Sequence, residues 1–598
     1  MAETLISPGV LARENDMSQI TAGPIQAGAC IIGPTVKGQV EVPQLVTSYS
    51  DYVAQFGSAF ISGSDEFSFF TSISAYNYFQ NGGSTLLVSR VAGTQMVAAS
   101  SSFVSQSSRG AGVPHQSSFT LETLGEGDYN NSSNYLYKPG TGAGAPANWT
   151  MGLANTGSNN TLLSGSSDNL RWEVSSPDTA SGVFSVILRR GDDTGKSKRV
   201  LETFAGVTLD PKSPNYIAKV IGDQKQVKRG SGTDLYLQTT GSFPNSSKYI
   251  RVAAVNLKTP NYLNNAGVAQ TKWTSSVPTA MSGAFGGGSG SMTNTNYKNL
   301  YYQDISNTNT QGIHGTDYTD AINILANRDD FRYNLISTPG LALINADHAT
   351  PLNLLTSNTE NRGDNIIVMD LVNYSSTVLQ VGQQAASMDS SYVATYWPWL
   401  QITDPDTRQL CWVPASTMIP GVYAYNDKAG EAWFAPAGIN RGGLGSVRQA
   451  ERKLSQGNRD TLYTAKVNPI ATFPGTGVVV FGQKTLQTKA SALDRVNVRR
   501  LLITLKNYIS QIADTLVFEQ NTAATRNTFL SQVNPYLESV QQRQGLYAFK
   551  VVMDNTNNTP DVIDRNELIG AVYLQPTKTA EFIYLDFNIL PTGATFPA

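Results

Sequence analysis

The 598-residue sequence has only two cysteines, Cys30 and Cys411, and three histidines, His115, His314 and His348. Two thiols exclude a disulfide framework and a cysteine-based zinc site, and they suit a chain made in a reducing cytoplasm. Charge is scarce too. Asp, Glu, Lys and Arg make up 15% of the chain, against roughly 25% in an ordinary soluble domain. The 43 Lys+Arg and 45 Asp+Glu nearly cancel, leaving a formal charge of −2. That balance argues against attachment to nucleic acid or to an anionic membrane through bulk charge. No apolar run approaches the ~18–20 residues of a membrane-spanning helix. The opening Met1-Ala2-Glu3-Thr4 is acidic and no apolar stretch follows, so no secretory leader is expected.

What is present is 40% apolar residues, 52 glycines and an abundance of Ser, Thr and Asn. That is enough to bury several cores, and the length suggests several domains. A weakly charged chain of this texture reads as a β-rich particle that buries much of its surface against neighbours.

The first twenty residues, with Ser7-Pro8-Gly9-Val10, show little periodicity and read as an extended arm. Ala27 to Ile32 is a short apolar strand ended by Gly33-Pro34, and Val42 to Val46 is a second apolar stretch. Ser50 to Gly57 reads as a short helix capped by Ser50 and ended by Gly57. Phe69, Phe70, Ile73, Tyr76 and Phe79 have helical spacing, stopped by Gly82-Gly83, and Thr85 to Val91 is a buried strand. Residues 21–93 therefore read as a compact α/β unit. From about Thr94 to Gly315 Ser, Thr, Asn and Gly dominate, interrupted by alternating runs at Ser118–Leu124, Gly182–Leu188 and Arg199–Phe204. This stretch reads as one or two all-β insertions that project outward. The α/β texture returns at Thr316, with a helix at Tyr318–Ala326, a strand Tyr333–Ser337 closed by Thr338-Pro339-Gly340, and a strand Ile366–Met369. Residues 316–480 are thus expected to complete the unit begun at 21–93.

The end of the chain is the most regular part. Val498, Leu501, Leu502, Leu505, Tyr508, Ile509, Ile512 and Leu516 form one apolar stripe of a helix of some 25 residues. Phe529, Val533, Tyr536, Leu537 and Val540 mark a second helix ending near Gly545. Strands are expected at Ala548–Met553, Glu567–Leu574 and Glu581–Ile589. The fold class is α+β and multidomain: a mixed α/β core, an inserted β-rich protruding region, and terminal strands free to pair elsewhere.

No segment carries convincing catalytic chemistry. Gly191-Asp192-Asp193-Thr194-Gly195-Lys196-Ser197 has three residues where a phosphate-binding loop needs four before Gly-Lys-Ser, and reads as a solvated hairpin turn. Arg190-Gly191-Asp192 is part of the same turn, and Gly283 to Gly290 is a flexible loop. Asp347-His348 could orient an imidazole, but no serine or cysteine elbow accompanies it. The acids Asp329-Asp330 beside Arg328 read as a solvated helix end. Asn-x-Ser/Thr triplets such as Asn148-Trp149-Thr150 and Asn245-Ser246-Ser247 read as loop composition. Tyr396-Trp397-Pro398-Trp399 could stack bases or sugars, yet with few basic neighbours it reads as a packed corner of the core.

Several segments in order resemble the contractile tail sheath proteins of bacteriophages, a family that includes pyocin and type VI secretion sheaths. They are Ser7-Pro8-Gly9-Val10, then Gly33-Pro34-Thr35-Val36-Lys37-Gly38, Val46-Thr47-Ser48 and Phe56-Gly57, then Leu209 to Gly222. Next come Tyr396-Trp397-Pro398-Trp399, Val413-Pro414-Ala415-Ser416, Ala435-Pro436-Ala437-Gly438 and Gly482-Gln483-Lys484-Thr485-Leu486. Val496 to Leu501, Asn558 to Asp564 and Pro576 to Phe587 resemble the final domain. Ala415 and Gly438 depart from the family's proline and asparagine at those places.

The resemblance implies a structural protein of the virion, assembled in the host cytoplasm, with no enzymatic activity and no cofactor. Copies would stack as hexameric rings in a helical sheath around an inner tail tube, and contraction would drive the tube through the host envelope for DNA ejection. Partners would be the tube, baseplate and tail terminator proteins, with no direct nucleic-acid contact and no membrane insertion. Residues 1–20 form the N-terminal linker arm on this reading, 21–93 with 316–480 the α/β sheath domain, 94–315 the outward insertion, and 481–598 the C-terminal domain with its strand arm. Ser7, Pro8, Gly9, Val10, Phe582, Tyr584 and Phe587 would take part in strand exchange between subunits. The helices of 494–545 would lie toward the tube, with Arg499 and Arg500 either facing an acidic tube or solvating one side of their helix. The alternatives are a type VI or pyocin-like sheath subunit, which a single long chain with a large insertion fits less well, and a virion surface protein that binds or hydrolyses glycans.

Overall fold

The computed structural model describes residues 25–62, 65–93, 95–104, 117–131, 135–136, 153–154, 165–290, 302 and 305–582. The expected arm of residues 1–20 and the strand positions Tyr584 and Phe587 lie outside these described residues.

The central element is an eight-stranded sheet in the order Gly477–Val480, Asn468–Phe473, Val393–Trp397, Ile366–Asp370, Leu335–Ala342, Ala29–Gly33, Leu86–Arg90, Gln44–Val46. The six inner strands run parallel, and one antiparallel strand closes each edge. Ala29–Gly33, Leu86–Arg90, Ile366–Asp370 and Val393–Trp397 are buried at every position. Continuous apolar runs of this kind belong to parallel strands covered on both faces. Successive side chains point to opposite sides. Ala29, Ile31, Leu86, Val88, Ile366 and Val368 enter one apolar cluster with helices Phe70–Gln80 and Ala415–Ala429. Cys30, Ile32, Leu87, Ile367 and Met369 enter a second cluster with helices Ala346–Arg362, Val378–Ala386 and Gln456–Thr464. Each fully buried aliphatic side chain in these layers contributes about 1.5–3 kcal/mol.

Three local expectations are corrected. The short helix is Tyr49–Phe56, and its cap is Ser48, whose hydroxyl accepts from the Asp51 N–H at 3.1 Å; Ser50 lies inside the first turn. Gly57 does end it, at φ +76°, where a glycine carries no steric penalty. Thr338-Pro339-Gly340 does not close its strand: Leu335–Ala342 continues through it, with a register shift between Ser337 and Ala342 that accommodates a proline lacking an N–H. The stripe after Val498 forms a helix of 19 residues, Val496–Asp514, so Leu516 falls beyond its end.

Residues 98–285 hold a core of their own. A six-stranded sheet, Val200–Thr208, Val183–Arg190, Leu170–Asp178, Met281–Ala284, Leu153–Ala154 and Tyr135–Leu136, faces a three-stranded sheet of Ile250–Val255, Ser117–Glu126 and Ala98–Val104. Trp172, Phe103, Phe119 and Phe184 stack between them. The buried Arg90 joins this part to the central sheet, donating to the carbonyls of Gly38 at 2.6 Å and Glu126 at 2.8 Å.

A fourth core lies at the end of the chain. Leu501, Leu505 and Ile512 meet Phe529, Val533, Leu537 and Val540 of helix Ala523–Gln542, and Trp433 of the central part closes the cluster. The strands Leu546–Val552 and Ala571–Pro576 form an antiparallel hairpin over these helices.

Candidate assembly interface

The hairpin alternates as a half-buried pair should. Phe549, Val551, Val572 and Leu574 pack against the two helices, while Lys550 lies opposite Tyr573 on the outer face. Tyr547 and Tyr573 are each 62% exposed. Neither strand has a second strand beside it among the described residues. Two strands alone are marginal in water, and their outer edges present rows of N–H and C=O groups suited to a third strand.

Beyond Pro576 the chain is tied down before its last described residue. The Thr577 hydroxyl donates to the Gln544 carbonyl at 2.7 Å, and the Gln483 side-chain amide donates to the Thr579 hydroxyl at 2.7 Å. Glu581 is the main anchor. Its carboxylate accepts from Arg495 Nε at 2.7 Å, from the Tyr463 hydroxyl at 2.5 Å and from Gln483 Nε2 at 3.0 Å. Burial pushes this carboxyl up, but the bonds from Arg495, Tyr463 and Gln483 outweigh burial and hold it below the ordinary carboxylate range. Lys484 completes the cluster, donating to the Tyr463 carbonyl at 2.8 Å with its ammonium 3.9 Å from the Tyr463 ring centre. Phe582 follows and is 67% exposed. Glu581 and Phe582 lie outside any strand, at the place where a strand was expected to begin.

Arg499 and Arg500 are neither solvated nor presented outward. They are 5% and 7% exposed. Arg499 bonds the Ser391 hydroxyl and carbonyl and lies 4.0 Å from the Tyr392 ring centre. Arg500 holds both oxygens of Asp427 at 2.7 and 2.6 Å and lies over Tyr423 at 4.6 Å. Both guanidinium groups fasten the start of helix Val496–Asp514 to the central part of the same chain. The periodic stripe missed this because the helix is buried on nearly every side over its first turns, from Val496 to Leu501.

The segments weighed for catalysis have structural explanations. Gly191–Ser197 connects strands Val183–Arg190 and Val200–Thr208, and the Asp193 carboxylate beneath it is gripped by Arg171 at 3.1 Å and Arg189 at 2.6 Å. Glu173 and Glu122, the nearby acids, are paired as well, with Arg189 and Lys198 and with Arg251 and Lys225. His348 is fully buried, and its Nδ1 accepts from the Ala342 N–H at 3.1 Å. Burial pushes it down to about 4, so the ring is neutral at physiological pH. Tyr396, Trp397 and Trp399 are buried, with the Trp399 indole donating to the Val372 carbonyl at 3.1 Å, which makes them a corner of the core. Asp370, which no motif marked, is buried and caps helix Ala415–Ala429, accepting from the Ser416 N–H at 3.1 Å and from its hydroxyl. Burial, opposed by those two bonds, pushes Asp370 up to about 7. Among the described residues no group of three His, Cys, Asp or Glu is placed to hold a metal, and no helix is long and apolar enough to cross a membrane.

Comparison with known proteins bears on the same regions. Residues 311–486 match the model of the phage tail sheath protein central domain, and residues 488–590 match that of the phage tail sheath C-terminal domain. The junction of the two falls between Gln483 and Arg495, the residues that hold Glu581. The chain is 40% identical over 218 residues to the tail sheath protein of Vibrio phage KVP40, covering 36% of this chain and 31% of that one. It is also 40% identical over 185 residues to the tail sheath protein of Enterobacteria phage T4, covering 31% and 28%. The matched part is thus about a third of the length of these relatives. Among solved structures, the contracted helical sheath of the anti-feeding prophage aligns over 97% of this chain and 98% of its own, at 15% identity and a TM-score of 0.46. With both domain models matched in succession and curated sheath proteins at this identity, residues 311–590 carry the central and C-terminal domains of the phage tail sheath family.

Proposed function

We propose that this chain is the repeating subunit of a contractile phage tail sheath, stacked as hexameric rings around an inner tail tube. The observation that carries this reading is the C-terminal hairpin, with no further strand beside it among the described residues, next to a segment anchored at Glu581 that ends on the exposed Phe582. Strand addition to such an edge satisfies backbone groups that a monomer leaves to water. In the assembly, residues 1–20 and 582–598 of each copy add strands to the hairpins of its neighbours, with Ser7, Pro8, Gly9, Val10, Phe582, Tyr584 and Phe587 in the added segments.

The domain division follows the same reading. Residues 21–93 and 316–480 form one discontinuous domain, supported by the parallel pairing of Ala29–Gly33 with Leu335–Ala342. Residues 94–315 project outward, and 481–598 form the mesh. Contraction is a transition from a metastable extended array to a stable short one, in which subunits move as rigid bodies and the strand links act as hinges. The tube, baseplate and terminator proteins are the partners, and assembly takes place in the host cytoplasm.

The test is truncation. Chains lacking residues 1–20 or 582–598 are expected to remain folded yet form no tubes in electron micrographs, while the full chain forms striated hollow tubes. Normal long tubes from both truncations would sink the strand-exchange reading. Glycan binding or cleavage by the full chain would support the alternative of a surface glycan-binding or glycan-hydrolysing protein.

A further inference from the structure

The turn between the two C-terminal helices carries an unusual side chain. Helix Val496–Asp514 ends, and before Thr522 caps helix Ala523–Gln542 the chain passes through Val517 and Phe518. Phe518 is 101% exposed and Val517 61%. Phe518 also sits at φ +70°, a left-handed conformation that bulky residues rarely adopt. The turn around it is firmly tied: Glu519 N–H donates to the Leu516 carbonyl at 3.1 Å, the Thr525 hydroxyl to the Gln520 carbonyl at 2.7 Å, and Asn521 Nδ2 to the Glu567 carbonyl at 2.8 Å. A strained backbone thus holds an apolar ring in water on a rigid mount. Nothing within the described chain rewards that arrangement, whereas an interface anchor would.

A cavity large enough for an aromatic ring, with an apolar wall, lies on the same chain. Helices Phe70–Gln80 and Ala415–Ala429 leave an open cavity of about 300 Å³ lined by the apolar Ile73, Met418, Val422 and Leu444 and, in nearly equal measure, by polar groups that include Asn77, Gln80, Asn81 and Thr403. A dry cavity of roughly 150 Å³ is already enough to hold benzene. The surrounding charge also fits. Asp514 and Glu519 flank the Phe518 turn, exposed and without ion pairs among the described residues. Beside the cavity, the Lys428 stem packs on Gly82, and the exposed Arg448 donates to Thr403 on the cavity wall at 3.3 Å. Neither Lys428 nor Arg448 has a carboxylate partner among the described residues.

We infer that Phe518 of one copy inserts into the Ile73/Met418/Val422/Leu444 cavity of a second copy, with Asp514 and Glu519 set against its Lys428 and Arg448. Knob and hole are different surfaces, so the contact is heterologous, the type that generates rings or helical arrays instead of closed dimers. It rests on the sheath reading but is separate from strand exchange, since it needs neither terminal arm.

The experiment joins Phe518→Cys with Gln80→Cys in the full chain, whose own two cysteines are both buried. Mild oxidation of assembled tubes is expected to give a ladder of multimers on denaturing gels with the double variant and none with either single variant. Normal tubes without a ladder overturn the contact, and so does a dimer from the Phe518→Cys variant alone, which would mean that two knobs meet each other. In parallel, Phe518→Ser is expected to stay a folded monomer and to cut tube yield at least tenfold, with Phe518→Leu restoring it. Wild-type yield from Phe518→Ser overturns the proposal. Failure of the unaltered chain to form tubes refutes the sheath reading itself, and this contact with it.

Discussion

Glu581→Gln tests whether the chain end is anchored before it leaves the body of the protein. The substitution keeps the shape of the side chain and removes its charge. Two of the three bonds to Glu581 are charge-assisted or very short, from Arg495 Nε at 2.7 Å and the Tyr463 hydroxyl at 2.5 Å. A hydrogen bond to a charged group contributes about 1.5–3 kcal/mol. Because the Glu581 and Arg495 side chains are 18% and 25% exposed, solvent screening puts the expected loss near the lower bound, about 1–2 kcal/mol. The loss is local, so it is read by amide hydrogen exchange over residues 577–582, where each 1.4 kcal/mol corresponds to a tenfold faster opening. Exchange there is expected to rise about 5- to 30-fold at pH 7, with little change in the strands of the central sheet. The carboxyl lies below its ordinary value, so its contribution is present above that value and is lost as pH falls through the lowered one. Wild type and Glu581→Gln should therefore differ at pH 7 and converge in acid. Equal exchange at pH 7, within a factor of two, would refute the anchor.

Other expectations follow from buried charges. Asp370 is pushed up to about 7, so the wild-type chain loses stability as pH rises from the ordinary carboxylate range through 7. Asp370→Asn retains an acceptor for the Ser416 N–H and should lack that decline, an advantage on the order of 4 kcal/mol at most by pH 8, read from urea melts at pH 5 and 8. The pair of Arg500 with Asp427 is asymmetric, the arginine side chain 8% exposed and the aspartate 44%. Asp427→Ala leaves a buried guanidinium unpaired and should cost about 3 kcal/mol, whereas Arg500→Met leaves a carboxylate near water and should cost less. Denaturant midpoints that rank the two variants in the opposite order would contradict this account.

Legibility in the sequence followed how local each pattern was. Val498, Leu501, Leu505, Ile512, Phe529, Val533, Leu537 and Val540 were readable as helix stripes because a period of 3.6 survives without knowledge of neighbours, and all eight are in the core. The buried strands Ala29–Gly33, Leu86–Arg90 and Ile366–Asp370 were readable as short apolar runs, whereas Val393–Trp397 was not read as a strand. Leu516 extended the apolar stripe in sequence, yet the helix stops at Asp514, and Phe518 just beyond it is left in water. Arg499 and Arg500 read as surface residues because charge is usually solvated, but the first turns of their helix are enclosed on all sides. The Glu581 anchor was invisible, since its partners Tyr463, Gln483 and Arg495 are 118, 98 and 86 residues away.

The sequence by itself determined the class of protein: a charge-poor, cysteine-poor chain with sheath motifs in order along its length and no catalytic motif. Those are properties of composition and of short local patterns. Only the tertiary structure decided that the paired arginines turn inward, that Asp370 is a helix cap pushed up to about 7, and that, among the described residues, the hairpin edges and Phe518 are left without a partner. Such decisions depend on desolvation and on partners brought together from distant parts of the chain, and neither is written in the residues next to them.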